Sequence, residues 1–589
     1  MRAREIAAQV NAGTRSAEQI AIETLDRAAA YDEIQPAAWI SRVPAEELRA
    51  RARLVDRRIA AGEHLPLAGV PVAVKDNIDV AGMVTSAACP AFAHRPDTSA
   101  HVVERLLAAG AVIVGKANLD QFATGLVGTR SPYGACGCVF NLDYISGGSS
   151  AGSAVLVAAG VVPLALGSDT AGSGRVPASF NNLVGLKPTR GRWSSRGMLP
   201  ACRTLDCMTS LTADAADAAL VDAVAADFDP RDAYARRTPE VPARFGAGFR
   251  FGVPRSLQLQ DLSPQDSALF AAALPRLRAA GGVPVEVDVT PLLQAAHLLY
   301  GGPWVAERTA ALDSLLNTNP AAIHPVVRAI AQAGRGISAV DAFRGFYALQ
   351  ELARAAEAIW EQIDVLLMPT TPTIYRQSEV LAEPVTLNTH LGLYTNFVNL
   401  LDLSAVSVPA GFRDNRTGFG VTLIAPAWCD ASLLQLAARY EQAATLPAAP
   451  ALDRREQPAR VQLAVVGAHL SGMPLNWQLT SRAARLVRST RTAPVYRLYA
   501  MTGQALPKPA LVHAGPGNAA IDLEIYELDV SAFGSFVAEV PPPLAIGTVT
   551  LEDGTNVHGF VAEPRALTNA LDITVHGGWR AYLAKVASP

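Results

Sequence analysis

Residues 147–177, GGSSAGSAVLVAAGVVPLALGSDTAGSGRVP, hold two glycine- and serine-rich turns, 147–153 and 170–174, on either side of an apolar run. The run reads as one short helix followed by one buried strand, so a single supersecondary unit can bring two hydroxyl-bearing turns together. Glycine adds a second constraint. Without a Cβ it admits positive φ and lets a substrate approach the main chain, so that consecutive N–H groups can face an oxyanion.

Upstream, in PVAVKDNIDVAGMVTSAA, the apolar run 70–74 ends on Lys75, followed by Asp76 and Asn77. Bounded by Gly69 and Asp76, the run reads as a buried strand, and strand ends are where α/β folds carry active-site residues. A lysine there loses water, its ammonium form is disfavoured, and its pKa falls toward that of a useful base. One lysine and two serines then make a nucleophile system without histidine. No GxSxG elbow stands in the sequence to support a histidine triad instead.

Lys75, GGSS at 147–150 and DTAGS at 169–173 occur in an order and spacing that resemble the amidase signature family, and the likeness extends over most of residues 1–445. The resemblance implies that Lys75 is the catalytic lysine, Ser149 a bridging serine in a cis peptide, and Ser173 the acylated nucleophile. It also implies an oxyanion hole from main-chain N–H groups around 170–173, with Thr170, Ala171 and Gly172 as the donors. Many relatives have a second glycine where this chain has Ala171, a change that keeps the donor and narrows the pocket. The loop NLDQFATGLVGTRSPYG is similar to the same family and is expected to line the pocket opposite the nucleophile through Gly125. Asp169 and Arg175 flank the nucleophile turn and are read as structural.

The segment YGGPWVAER resembles the allophanate hydrolases within that family. On this resemblance Tyr300 and Arg308 hold a substrate carboxylate, a role that suits the planar donor fork of a guanidinium and a tyrosine hydroxyl. The implied activity is hydrolysis of allophanate to ammonia and carbon dioxide through an acyl-enzyme, with no cofactor. Alternatives are a general small-amide amidase, an amidotransferase A-type subunit, or a non-catalytic partner of urea carboxylase. An active enzyme is also expected to work beside urea carboxylase, as a homodimer.

At 589 residues the chain exceeds one ordinary domain. Helical and strand patterns alternate over 1–445, and the expected class is α/β, an amidase signature fold whose mixed central sheet is covered by helices. Helices are expected after the Ser16/Gln19 capping box, after Ser263-Pro264, and after a cap at Asp430. Residues 446–459, rich in Pro, Ala and charge, read as a linker. Residues 460–589 hold short β runs, including FVAEVPPPLAIGTVTLED, with helix potential at 475–487 and near the C-terminus, and predict a smaller α+β domain with a small barrel. This region is similar to the C-terminal domain of allophanate hydrolases, which resembles the γ-glutamyl cyclotransferase type. There His469 is the candidate for handling the first product, unless the domain serves dimerisation or docking.

Charged residues make up 17% of the chain and the net charge is −3, which argues against a nucleic-acid partner and for a small molecule. No pair among Cys89, Cys136, Cys138, Cys202, Cys207 and Cys429 forms CxxC, so no metal is expected. With no secretory signal at the N-terminus and no uninterrupted apolar run of about 20 residues, a cytoplasmic protein without membrane spans is expected.

Overall fold

Every residue of the strands Pro71–Lys75, Val112–Ala117, Leu164–Asp169, Val184–Lys187, Cys207–Thr212, Val365–Pro369 and Gly418–Ala425 is buried, as strands covered on both faces must be. In the computed structural model, which describes residues 2–240, 244–246, 248–443, 448–454, 460–482, 484–501 and 506–586, these strands belong to one eleven-stranded sheet. Its order runs Trp39–Arg42, Val112–Ala117, Pro71–Lys75, Leu164–Asp169, Cys207–Thr212, Val184–Lys187, Ser404–Phe412, Gly418–Ala425, Val365–Pro369, Phe249–Pro254 and Gly282–Val287. The sheet is mixed. Pro71–Lys75 pairs in parallel with both its neighbours, whereas Leu164–Asp169 pairs antiparallel with Cys207–Thr212.

Helices cover this sheet. Ala17–Asp32 starts at Ser16, whose hydroxyl accepts from Gln19 N–H while the Gln19 side chain accepts from Ser16 N–H, both at 3.0 Å. Pro264–Ala279 starts at Ser263, which accepts from Asp266 N–H. The last helix of the large unit, Asp430–Gln442, has Cys429 at its N-cap position without a side-chain cap, and Asp430 is its first helical residue and not the cap. The Asp430 carboxylate is drawn away by Thr189, whose N–H and hydroxyl both donate to it at 2.7 Å.

The chain divides into two units, Met1–Arg454 and Arg455–Pro589. Of the expected linker, 446, 447 and 455–459 lie outside the described residues. Asp453, within it, is tied to the first unit, donating its N–H to the Val139 carbonyl and accepting from Leu142 N–H.

The second unit has a five-stranded and a three-stranded sheet. The larger curls until the ends of its edge strands, Arg485–Arg491 and Leu544–Thr550, meet through a bridge between Thr492 and Leu551, closing one end like a small barrel. Two expectations fail here. Residues 530–538, including most of FVAEV, form a helix, because Ala532, Phe533 and Phe536 recur at helical spacing against the second core. The helix expected over 475–487 shortens to Trp477–Thr480, and Arg485–Arg491 joins the sheet by pairing with Asp522–Asp529.

Candidate active site

Parallel pairing of Val72 with Leu164, Ala73 with Ala165 and Val74 with Leu166 brings Lys75 and Ser168 out at the same end of adjacent strands. The Lys75 Nζ donates to Ser149 Oγ at 2.7 Å and to Ser168 Oγ at 2.8 Å. Asn77 Nδ2 also donates to Ser168 Oγ, at 3.2 Å. Sequence reasoning did not single out Ser168 or Asn77, although both lie in the quoted motifs. Lys75 is fully buried and has no carboxylate within 4.0 Å among the described residues. Burial pushes its pKa down to about 7, against the opposing pull of the more distant Asp120, Asp206 and Asp169. The Gly148–Ser149 peptide is cis. A Cβ on Gly148 would strike the Asp120 carboxylate, so the turn admits only glycine there.

The buried Ser173 sits just before the short helix Arg175–Phe180. Its carbonyl accepts from Ser150 N–H at 3.2 Å, which brings the two turns together. Its hydroxyl donates to the Gly125 carbonyl at 3.5 Å, and among the described residues no hydrogen bond joins it directly to Ser149. Gly125 thus faces Ser173, on a loop held by Asp120, whose carboxylate accepts from Val127, Gly128 and Arg130 N–H groups.

The three expected oxyanion donors do not behave alike. Gly172 donates its N–H to Asp169 Oδ1 at 2.8 Å, which removes it from the set. Thr170, Ala171 and Ser173 have no main-chain N–H partner among the described residues, so the open donors flank Gly172. Gly172 is needed for its shape: its φ is +128° and a Cβ would stand 2.5 Å from Thr395 Oγ1. Asp169 also pairs with Arg175 at 2.9 Å, and this buried ion pair fixes the turn.

Arg308 lies in the helix Trp304–Thr318 and Tyr300 near the end of Thr290–Gly301. Arg308 is only 3% exposed, yet it has no carboxylate within 4.0 Å among the described residues, and its Nε has no acceptor. Nη1 donates to Thr124 Oγ1 at 3.1 Å, and the guanidinium lies over the Tyr300 ring, 5.5 Å from its centroid. Thr124 precedes Gly125, so Arg308 and Ser173 touch neighbouring residues of one loop.

In the second unit, His469 lines a cavity of about 270 Å³ together with Gln478, Lys508, Phe536, Glu539 and Phe560. Its Nε2 lies 2.8 Å from Gln478 Oε1, and its ring stacks on Phe560 with centroids 5.0 Å apart. Burial holds its pKa below the ordinary value. Among the described residues no group of three or more His, Cys, Asp or Glu could hold a metal ion, and no helix is long and apolar enough to cross a membrane.

A buried lysine in contact with one serine turn, a second serine turn packed on the first, and open main-chain donors on the second are the groups that a serine acyl-transfer centre without histidine requires. The chain belongs to the amidase family: the Amidase sequence model matches residues 20–434, and the Allophanate hydrolase C-terminal domain model matches 461–584. It is similar to urea amidolyase of Saccharomyces cerevisiae, 43% identical over 92% of this chain and 31% of that protein. The chain thus spans about a third of the length of the urea amidolyases it matches. The crystal structure of Kluyveromyces lactis allophanate hydrolase is 40% identical and covers 98% of each chain with a TM-score of 0.69. The A-type component of glutamyl-tRNA(Gln) amidotransferase from Deinococcus deserti is 36% identical over 74% of this chain and 95% of its own.

Proposed function

We propose that the chain hydrolyses allophanate, the N-carboxy derivative of urea, to ammonia and carbon dioxide. Uncharged Lys75 accepts a proton from Ser149 as Ser149 accepts one from Ser173, and Ser173 attacks the amide carbonyl. The Ser173 hydroxyl must first turn from Gly125 toward Ser149, a rotation about one side-chain bond between staggered states. The N–H groups of Thr170, Ala171 and Ser173 stabilise the oxyanion, each such donor typically contributing about 3 kcal/mol. Lys75 and Ser149 return the proton to the leaving nitrogen, ammonia departs, and water deacylates Ser173. The N-carboxycarbamate released loses carbon dioxide, and the remaining carbamate breaks down to ammonia and carbon dioxide.

The observation that carries this function is Arg308. A buried guanidinium without an anion is costly, and a small anionic amide whose far end is a carboxylate supplies the missing partner. The near-complete overlap with the Kluyveromyces lactis allophanate hydrolase supports the same substrate. On the likeness to the longer urea amidolyases, a urea carboxylase is the proposed source of allophanate. His469, in its largely apolar cavity, is the proposed site for the loss of carbon dioxide from N-carboxycarbamate.

Ammonia release from allophanate, biuret, malonamate and a simple aliphatic amide tests the assignment. The expected result is a kcat/KM for allophanate about 100-fold or more above the neutral amides, a ratio that collapses in Arg308→Ala. Equal rates on neutral amides would contradict it.

A further inference from the structure

Antiparallel pairing of Asp169 with Cys207 places the residues just beyond the pair, Thr170 and Asp206, side by side at the end of the sheet. Thr170 Oγ1 donates to Asp206 Oδ1, and the N–H groups of Ala201 and Cys202 donate to Oδ2 at 2.7 and 3.1 Å. Asp206 is 8% exposed and faces two cavities, of about 320 and 170 Å³, that share Ser195 and Arg203 with it. Its charge is felt both by Lys75 and by Arg308, yet it lies within 4.0 Å of neither.

We infer that Asp206 is a positioning residue of the amide-cleaving site, a single carboxylate that fixes the nucleophile turn through Thr170 and adds its charge to the field felt by Lys75 and Arg308. No motif or family match assigns it a role. The inference rests on Lys75 acting as the base. The Thr170 hydroxyl bond holds a residue whose own N–H has no partner among the described residues and is a proposed oxyanion donor, so the carboxylate restrains the residue that carries that donor. As an anion it also favours the charged form of Lys75, together with Asp120 and Asp169. Burial raises the pKa of Asp206 itself to about 6, opposed by the Thr170 hydroxyl bond, Arg308 and the two N–H donors. Glu307, the Cys202 thiol and the Arg130 guanidinium are further titratable groups around Arg308, and Tyr300 lies beneath it.

Labelling of Ser173 in the full chain by phenylmethanesulfonyl fluoride, followed against pH, separates this role from a purely structural one, and the reagent needs neither Arg308 nor allophanate. Wild-type labelling should rise through a midpoint near the Lys75 pKa of about 7. In Asp206→Asn the midpoint should move down by about half a pH unit or more, because a neighbouring anion is gone, and the plateau rate should fall about tenfold. Thr170→Val keeps the carboxylate but removes a bond that favours its charged form, so it should lower the plateau and move the midpoint down by no more than Asp206→Asn does, which keeps the inference testable if Asp206→Asn does not fold. A pH-dependent wild type with an unmoved or raised Asp206→Asn midpoint, or an unchanged Thr170→Val plateau, overturns the inference alone. Wild-type labelling independent of pH overturns the Lys75 relay along with it.

Discussion

Two buried lysines stand on neighbouring strands and differ in what faces them. Lys116 sits opposite Val74 in the parallel ladder, one step before Lys75, so the two amines leave the sheet on opposite faces. Lys116 meets Asp76 at 3.0 Å and the Thr85 hydroxyl at 2.8 Å, whereas Lys75 meets the hydroxyls of Ser149 and Ser168. Burial disfavours both ammonium groups. What separates them is the carboxylate: in contact it opposes the downward shift of Lys116, and at a distance it leaves Lys75 with a pKa of about 7. Arg175 and Arg308 repeat the contrast, one paired with Asp169 and the other without a carboxylate within 4.0 Å among the described residues. Among these four buried cations, the two without a contacting carboxylate are the ones the proposed chemistry uses.

The largest effects fall on the side without counter-ions. Ser173→Ala should lower kcat by about 10⁶-fold or to background, and Lys75→Met by at least about 10³-fold, in ammonia-release assays. Lys75→Met should leave thermal stability unchanged or raise it. The folded pKa of Lys75 lies below the ordinary 10.5, so between the two values the unfolded chain binds the proton more readily and the lysine costs stability. Substantial destabilisation by Lys75→Met would break the comparison.

Lys116→Met should do the reverse, destabilising by about 3–5 kcal/mol in denaturant unfolding because Asp76 is left buried without its partner. The surviving folded fraction should keep the wild-type pH profile. Among the arginines, Arg308→Ala should raise KM for allophanate by about 10- to 100-fold with little change in kcat, and an unchanged KM would remove Arg308 from substrate binding. The smallest effect is expected in the second unit, where His469→Ala should slow carbon dioxide release without slowing the first ammonia. Unchanged carbon dioxide release would argue against a role for His469 there.

The lysine and the two serine turns were legible because each lies in a local motif beside an apolar strand, and the parallel ladder that joins them follows from helix and strand alternation. The rest depended on partners remote in sequence. Gly172 looks like an oxyanion donor until Asp169, folded back over the turn, takes its N–H. Asp430 looks like a cap until Thr189, 241 residues away, claims its carboxylate. Ser168 sits inside the quoted motif, but only the register with Pro71–Lys75 turns it toward the amine. In the second unit, FVAEV carries strand-like residues whose helical burial is decided by the sheet beneath them.

If Lys75 works as an uncharged amine, the pH dependence of kcat/KM for allophanate must report its titration. The rate should rise with pH through a midpoint near 7, as the proton leaves Lys75. A midpoint near the ordinary lysine value of 10.5, or a profile that persists unchanged in Lys75→Met, would contradict it.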